Sequence, residues 1–151
     1  MHCLWLYTKA MPHDGSPDAP TSPSKSLLDQ ISEAAPVLDQ AAEIGRRCAT
    51  VGFEWATAED VMKKVEEELT ELQQETTRER QTAELGDVLF SLVQWARKRD
   101  IDPREALRLQ MRRFKARFRE VERLAEPLGG VSACSLEQLE SFWAISKRTQ
   151  P

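Results

Sequence analysis

Two acidic stretches decide how this 151-residue chain is read. They are Lys64-Val65-Glu66-Glu67-Glu68-Leu69-Thr70-Glu71-Leu72 and, after 12 further residues beyond Glu71, Glu84-Leu85-Gly86-Asp87. Glu68 and Glu71 are three residues apart, as are Glu84 and Asp87. Residues at that spacing share one face of a helix, so each stretch projects a pair of carboxylates. The apolar spacing agrees: at ~100° per residue, Val61, Met62, Val65, Leu69 and Leu72 form one stripe, flanked by Lys64, Glu68 and Glu71. Leu85, Val88, Leu89, Leu92 and Ala96 form a second stripe, flanked by Glu84 and Asp87. Two such helices side by side gather four carboxylates, which repel one another unless a cation lies between them. All-oxygen ligation suits Mg²⁺ or Mn²⁺. An acidic run on a helix is more often its wet face, because Glu is a strong helix former. The second acidic pair, opening another amphipathic helix after a short turn, is what favours a metal.

The rest of the pattern is helical. Residues 27–35 read as a short helix stopped by Pro36. Residues 37–50 read as another, with Leu38, Ala41, Ala42, Ile44, Cys48 and Ala49 as its apolar face, ended by Gly52. Phe53 and Trp55 follow in a loop, as core plugs or, for one of them, as a stacking surface for a base. Thr57 and Asp60 start the first motif helix, which runs to about residue 76. A turn over residues 76–79 leads to the second, from about residue 80 to residue 99. Phe90, Val93 and Trp95 widen its apolar surface, and a helix apolar on most sides must be buried on most sides. Asp102-Pro103-Arg104-Glu105 is a helix start. The helix that follows has Leu107, Met111, Phe114, Phe118 and Val121 on one face and many arginines elsewhere. A Pro/Gly loop over residues 126–133 precedes a last helix capped by Ser135 and Gln138. No strand signal, glycine-rich phosphate loop or internal repeat is present.

In order along the chain, several stretches resemble the MazG family of nucleoside triphosphate pyrophosphohydrolases. They are Val51-Gly52-Phe53-Glu54-Trp55, Glu67-Glu68 with Glu71, Glu84-Leu85-Gly86-Asp87-Val88-Leu89-Phe90, Arg113-Phe114-Lys115-Ala116-Arg117-Phe118 and the closing segment from Ser135 to Trp143. The resemblance spans about residues 27–147. It implies an all-α, MazG-like helical bundle completed by homodimerisation, as a dimer or a dimer of dimers. The implied activity is hydrolysis of nucleoside triphosphates to monophosphate and pyrophosphate, clearing surplus or non-standard nucleotides. Mg²⁺ would be the cofactor, with Mn²⁺ as a substitute. Glu68, Glu71, Glu84 and Asp87 would hold the metal. Glu67, or a carboxylate not fully used in ligation, would orient the attacking water. Arg113 and Arg117 would hold phosphates, Lys64 would reach a phosphate or pair with a carboxylate, and Trp55 would line the base pocket. The chain departs from the family pattern at Gln94 and Met111, where Asn is common, at Arg113, where Lys is common, at Ala116, which replaces one of two paired arginines, and at Gly45, which replaces a Gln. These departures leave the proposed metal cage intact and put the substrate range in question.

Bulk properties set the frame. A net charge of −4 argues against nucleic acid as the main partner. Residues 1–26, with four prolines and a short apolar patch from Leu4 to Tyr7, read as a disordered leader, too short in apolar length for a membrane span. Residues 148–151 read as a tail. Cys3, Cys48 and Cys134 are odd in number and far apart, which suits a reducing cytoplasm rather than disulfides. Both histidines, His2 and His13, lie in the leader, so histidine chemistry is not expected. Two non-catalytic readings stand beside the enzyme: a nucleotide-sensing module of weak activity, and a purely structural helical dimer. The related phosphoribosyl-ATP pyrophosphohydrolases share the helical metal site, but the segment at residues 51–55 and the closing helix favour MazG.

Overall fold

The computed structural model describes residues 25–149. Most of the expected leader, with both histidines and Cys3, lies outside the described residues. Five α-helices follow in order: α1 (Val37–Thr50), α2 (Ala58–Gln74), α3 (Arg78–Lys98), α4 (Pro103–Ala125) and α5 (Leu136–Thr149). Two short 3₁₀ turns, Glu126–Leu128 and Val131–Ala133, fill the α4–α5 connection. There is no strand among the described residues, in keeping with the all-α reading.

The start and stop signals act largely as the sequence suggests. The Thr57 hydroxyl accepts the Asp60 N–H at 3.1 Å, and the Thr77 hydroxyl accepts the Arg80 N–H at 3.4 Å. The second motif helix therefore begins at Arg78, two residues earlier than expected. Ser135 and Gln138 form a reciprocal capping box, with bonds of 3.2 and 2.8 Å. α3 ends with Asp100 in the left-handed region, at φ 54°, while the Ile101 N–H reaches back to the Ala96 carbonyl. A short polar residue tolerates that conformation.

Residues 27–35 are not a helix. They form separate turns, with Ile31 N–H bonded to the Leu28 carbonyl and Ala35 N–H to the Ser32 carbonyl. A segment this short cannot recover the cost of nucleating a helix. Ser26 and Asp29 also tie the backbone locally, and the residue before Pro36 is pushed away from helical geometry.

The helices fall into two compact units, divided between Asp102 and Pro103. In the first, α2 and α3 pack lengthwise, and α1 packs on α3. The Arg99–Glu59 ion pair joins the end of α3 to the start of α2, so these two helices are antiparallel. Their shared core is Ala58, Val61, Val65, Val88, Ser91, Val93, Gln94 and Ala96. In the second unit α4 and α5 pack together, with Val121, Ala125 and Ser146 buried. The Phe114 ring lies 5.0 Å from that of Trp143.

The apolar stripes are only partly covered within one chain. On α3 the buried residues are Val88, Ser91, Val93, Gln94 and Ala96, whereas Leu85, Leu89 and Leu92 remain 40–52% exposed. On α4, Leu107, Met111, Phe114 and Phe118 are likewise exposed. Leu136 lies on the surface at the first position of α5.

Candidate functional site

The turn over residues 75–77 folds α3 back along α2, which places the two acidic motifs side by side. Glu68, Glu71 and Glu84 each bring a carboxylate oxygen to a common point, all three within 4.8 Å of one another. Glu68 is buried, and Glu71 and Glu84 are half-buried. The Glu84 carboxyl is pushed above its ordinary value, first by partial withdrawal from water and then by repulsion from Glu71, Asp87, Glu68 and Glu75. Such a cluster resists its own ionisation, and a cation placed among the oxygens relieves that strain. Three hard oxygen donors with no nitrogen or sulfur among them fit a divalent cation of the oxygen-binding kind. Asp87 stands beside the trio: it is exposed, and it acts on Glu84 through its charge.

Lys64, on α2, forms ion pairs with Glu68 at 2.7 Å and with Glu67 at 2.8 Å. Burial alone would favour its neutral form, but the bonds to Glu67 and Glu68 outweigh it and hold the ammonium firmly protonated. The lysine thus supplies the counter-charge that buried Glu68 needs. Glu67 lies outward, about half exposed.

The remaining candidates are placed as follows. Trp55 is half-buried in the connection between α1 and α2. Arg113 and Arg117 belong to α4, in the second unit; Arg113 is exposed and donates to the neutral amide of Gln110. Met111 is exposed on the same helix. Gly86, read as a site of close approach or as room for a ligand, meets nothing within 4 Å of the β-carbon it lacks. Close approach by another helix among the described residues is therefore not the reason for that glycine.

A second polar group emerges that the motifs did not single out. Gln94 is fully buried, and its amide donates to the Ala41 carbonyl of α1 at 2.7 Å and accepts from Arg97 at 3.1 Å. Arg97 continues to Glu54 at 3.0 Å, and Lys98 reaches the same Glu54 oxygen at 2.9 Å. Gln94 lies where a β-carbon on Gly45 would stand, only 1.7 Å from its amide oxygen. The sequence had shown Gly45 and Gln94 as two unrelated departures. A glycine on one helix and an overlong amide on another was the signal that they meet.

With this geometry in place, known proteins supply the next observation. No protein-family model matches the chain. A "Nucleoside triphosphate pyrophosphohydrolase/pyrophosphatase MazG" from Thermotoga maritima is 37% identical over 123 residues, covering 81% of this chain and 48% of its own length. A "Nucleoside triphosphate pyrophosphohydrolase" from Escherichia coli K12 is 37% identical over 131 residues, covering 83% of this chain and 50% of its own length. The chain is a relative of MazG. The resemblance drawn from the ordered motifs is borne out, and it extends well beyond the acidic pairs. The chain spans about half the length of these curated MazG relatives. A shorter match, 39% identical over 69 residues, relates 45% of the chain to 14% of "Uncharacterized protein YabN" from Bacillus subtilis. Among the described residues, no helix is long and apolar enough to cross a membrane.

Proposed function

We propose that this chain is an Mg²⁺-dependent hydrolase that cuts nucleoside triphosphates to monophosphate and pyrophosphate, as the names of its MazG relatives suggest. The observation that carries the reading is the convergence of Glu68, Glu71 and Glu84 within 4.8 Å on two antiparallel helices. Glu68, Glu71, Glu84 and Asp87 are assigned to the metal, with Mn²⁺ as a substitute ion. A divalent ion there would neutralise phosphate oxygens and lower the pKa of water.

The other residues act on the substrate and on protons. Glu67, exposed on α2 and next to Glu68 in the chain, is assigned to orient the attacking water and take its proton. Lys64 holds Glu68 in place and can donate one of its three N–H groups in a hydrogen bond to a phosphate oxygen, remaining charged. Arg113 and Arg117 are assigned to phosphate oxygens, for which the guanidinium fork is well shaped. Trp55 is assigned to the base, by stacking. Removal of surplus or non-standard nucleotides in the cytoplasm is the role that fits this chemistry.

A homodimer, or a pair of dimers, completes the bundle in this reading. Its support is the row Leu85, Leu89 and Leu92 on α3, left 40–52% exposed in a single chain. Leu89→Glu should lower the sedimentation coefficient; an unchanged value would place the subunit contact elsewhere.

Pyrophosphate release from a panel of ribo- and deoxyribonucleoside triphosphates tests the activity. Release should require Mg²⁺ or Mn²⁺, stop with EDTA and be lost in Glu71→Gln. Metal-dependent binding without release would make the chain a nucleotide sensor instead.

A further inference from the structure

The acidic cluster does not use the polar chain that runs from α1 through Gln94 and Arg97 to Glu54. Each of its members is positioned by the next. Gly45 leaves the gap on α1, and the Gln94 amide fills it, bonded to the Ala41 carbonyl at 2.7 Å. A buried amide without partners is costly, so this side chain is held in one pose by satisfying both its ends. Its oxygen fixes the Arg97 Nε, and the same rigid guanidinium projects an N–H onto Glu54. Lys98 clamps Glu54 a second time. Glu54 sits between Phe53 and Trp55 in the short connection over residues 51–57, and both aromatics are half-buried. Helix α3, which supplies Glu84, therefore also anchors the residue next to Trp55. A loop side chain can present a flat surface to a ligand with little entropic loss only if its backbone is held beforehand.

We propose that Gly45, Gln94, Arg97 and Glu54 form one positioning device that holds residues 51–57, and through it sets the affinity for the nucleotide base at Trp55. This rests on the reading above of Trp55 as the base contact. None of the four is among the residues assigned above to the phosphates. The device also gives a reason for two of the chain's departures from the MazG pattern: the longer amide at position 94 occupies the place a β-carbon at position 45 would take.

The test is binding calorimetry with an α,β-methylene nucleoside triphosphate and Mg²⁺, which does not depend on turnover. Tripolyphosphate serves as a ligand without a base. Glu54→Gln and Trp55→Ala should each weaken the nucleotide analogue about tenfold, the scale of one lost stacking contact. The double variant should be no weaker than either single one, and tripolyphosphate should bind all four proteins alike. Gly45→Ala should weaken the analogue similarly, and adding Gln94→Asn, which shortens the amide, should restore it. Unchanged binding by Glu54→Gln would overturn the proposal, as would losses for Glu54→Gln and Trp55→Ala that multiply. Equal loss of tripolyphosphate would also overturn it, because a general loosening of the fold would then explain the effect. Failure of the wild type to bind the analogue while binding tripolyphosphate would overturn the base contact at Trp55 and the proposal with it. Failure to bind either ligand would overturn the nucleotide reading itself.

Discussion

Residues 25–102 carry 17 acidic against 10 basic side chains, whereas residues 103–149 carry 6 against 10. The contrast is also one of arrangement. In the first unit three carboxylates from two helices converge on one point, and Lys64 meets the charge of buried Glu68. In the second, Arg108 with Glu105 and Arg123 with Glu120 are local ion pairs along α4, each three residues apart. Local pairs of this kind form on any helix of suitable sequence and contribute little to stability. Convergence across two helices needs the fold to hold like charges together against their repulsion. The difference teaches where to look for chemistry: in the first unit the fold sustains an unfavourable electrostatic arrangement.

The most severe test of that contrast separates activity from stability. Glu84→Gln should reduce pyrophosphate release on the order of a thousandfold, since metal stabilisation of phosphoryl charge is worth several kcal/mol and each factor of ten is about 1.4 kcal/mol. The same variant, freed of metal, should melt no lower than wild type, because the substitution removes one of the mutually repelling carboxylates. A large drop in melting temperature would show that the cluster supports the fold rather than a ligand.

A smaller effect belongs to the second unit. Arg113→Ala should raise KM about tenfold, the scale of a charge-assisted hydrogen bond to phosphate, and leave the melting temperature unchanged, since Arg113 is exposed and bonded to neutral Gln110. Unchanged KM would assign the arginines of α4 to solvation and confine substrate contact to other residues.

Legibility in the sequence followed the same division. The five α-helices, the caps at Thr57 and Ser135, and the meeting of Glu68, Glu71 and Glu84 rest on local spacing and one short turn, and these are features a sequence displays directly. The buried face of α3 was legible only in part: Val88 and Ala96 of the expected stripe are buried. Leu85, Leu89 and Leu92 look like core by hydrophobicity, yet the interior of the unit takes Ser91 and Gln94. That choice depends on where α1 lies, which no periodicity in α3 records. The same holds for the glycines. Gly86 drew notice because it lies inside a motif, but Gly45 is the one whose missing β-carbon is filled by another side chain. A clash between residues 49 positions apart is a tertiary fact.

Gly86 offers the next test. None of the described residues occupies the space where its β-carbon would lie, and Ala is favoured over Gly in a helix interior by about 1 kcal/mol. Gly86→Ala should therefore stabilise the protein by about that amount, with activity retained. A stabilised but inactive variant would show that the open space beside Glu84 and Asp87 is used by substrate or by a second copy.

The smallest effect concerns acid stability, and it compares a carboxylate from each unit. Glu54 is held below its ordinary pKa of 4.5, chiefly by the hydrogen bond from Lys98 and further by Arg97, against some desolvation. Glu120 is lowered as well, chiefly by its hydrogen bond from Arg123. A carboxylate whose pKa is lower folded than unfolded contributes stability that is fully present above the unfolded value. That contribution is lost as the pH falls through the folded value. Both residues therefore favour the folded state at neutral pH and weaken it below about pH 4.5. Glu54 takes two cations from α3 across a loop, whereas Glu120 takes one from its own helix. Only the first ties separate segments together. Urea midpoints measured from neutral pH down to about pH 3 should show a flatter acid limb in Glu54→Gln, by several tenths of a kcal/mol after allowance for solvent screening. Glu120→Gln should change that limb less. If the two variants flattened it equally, the Glu54 cations would be acting as ordinary surface charges, and the loop at residues 51–57 would be held by its aromatic side chains instead.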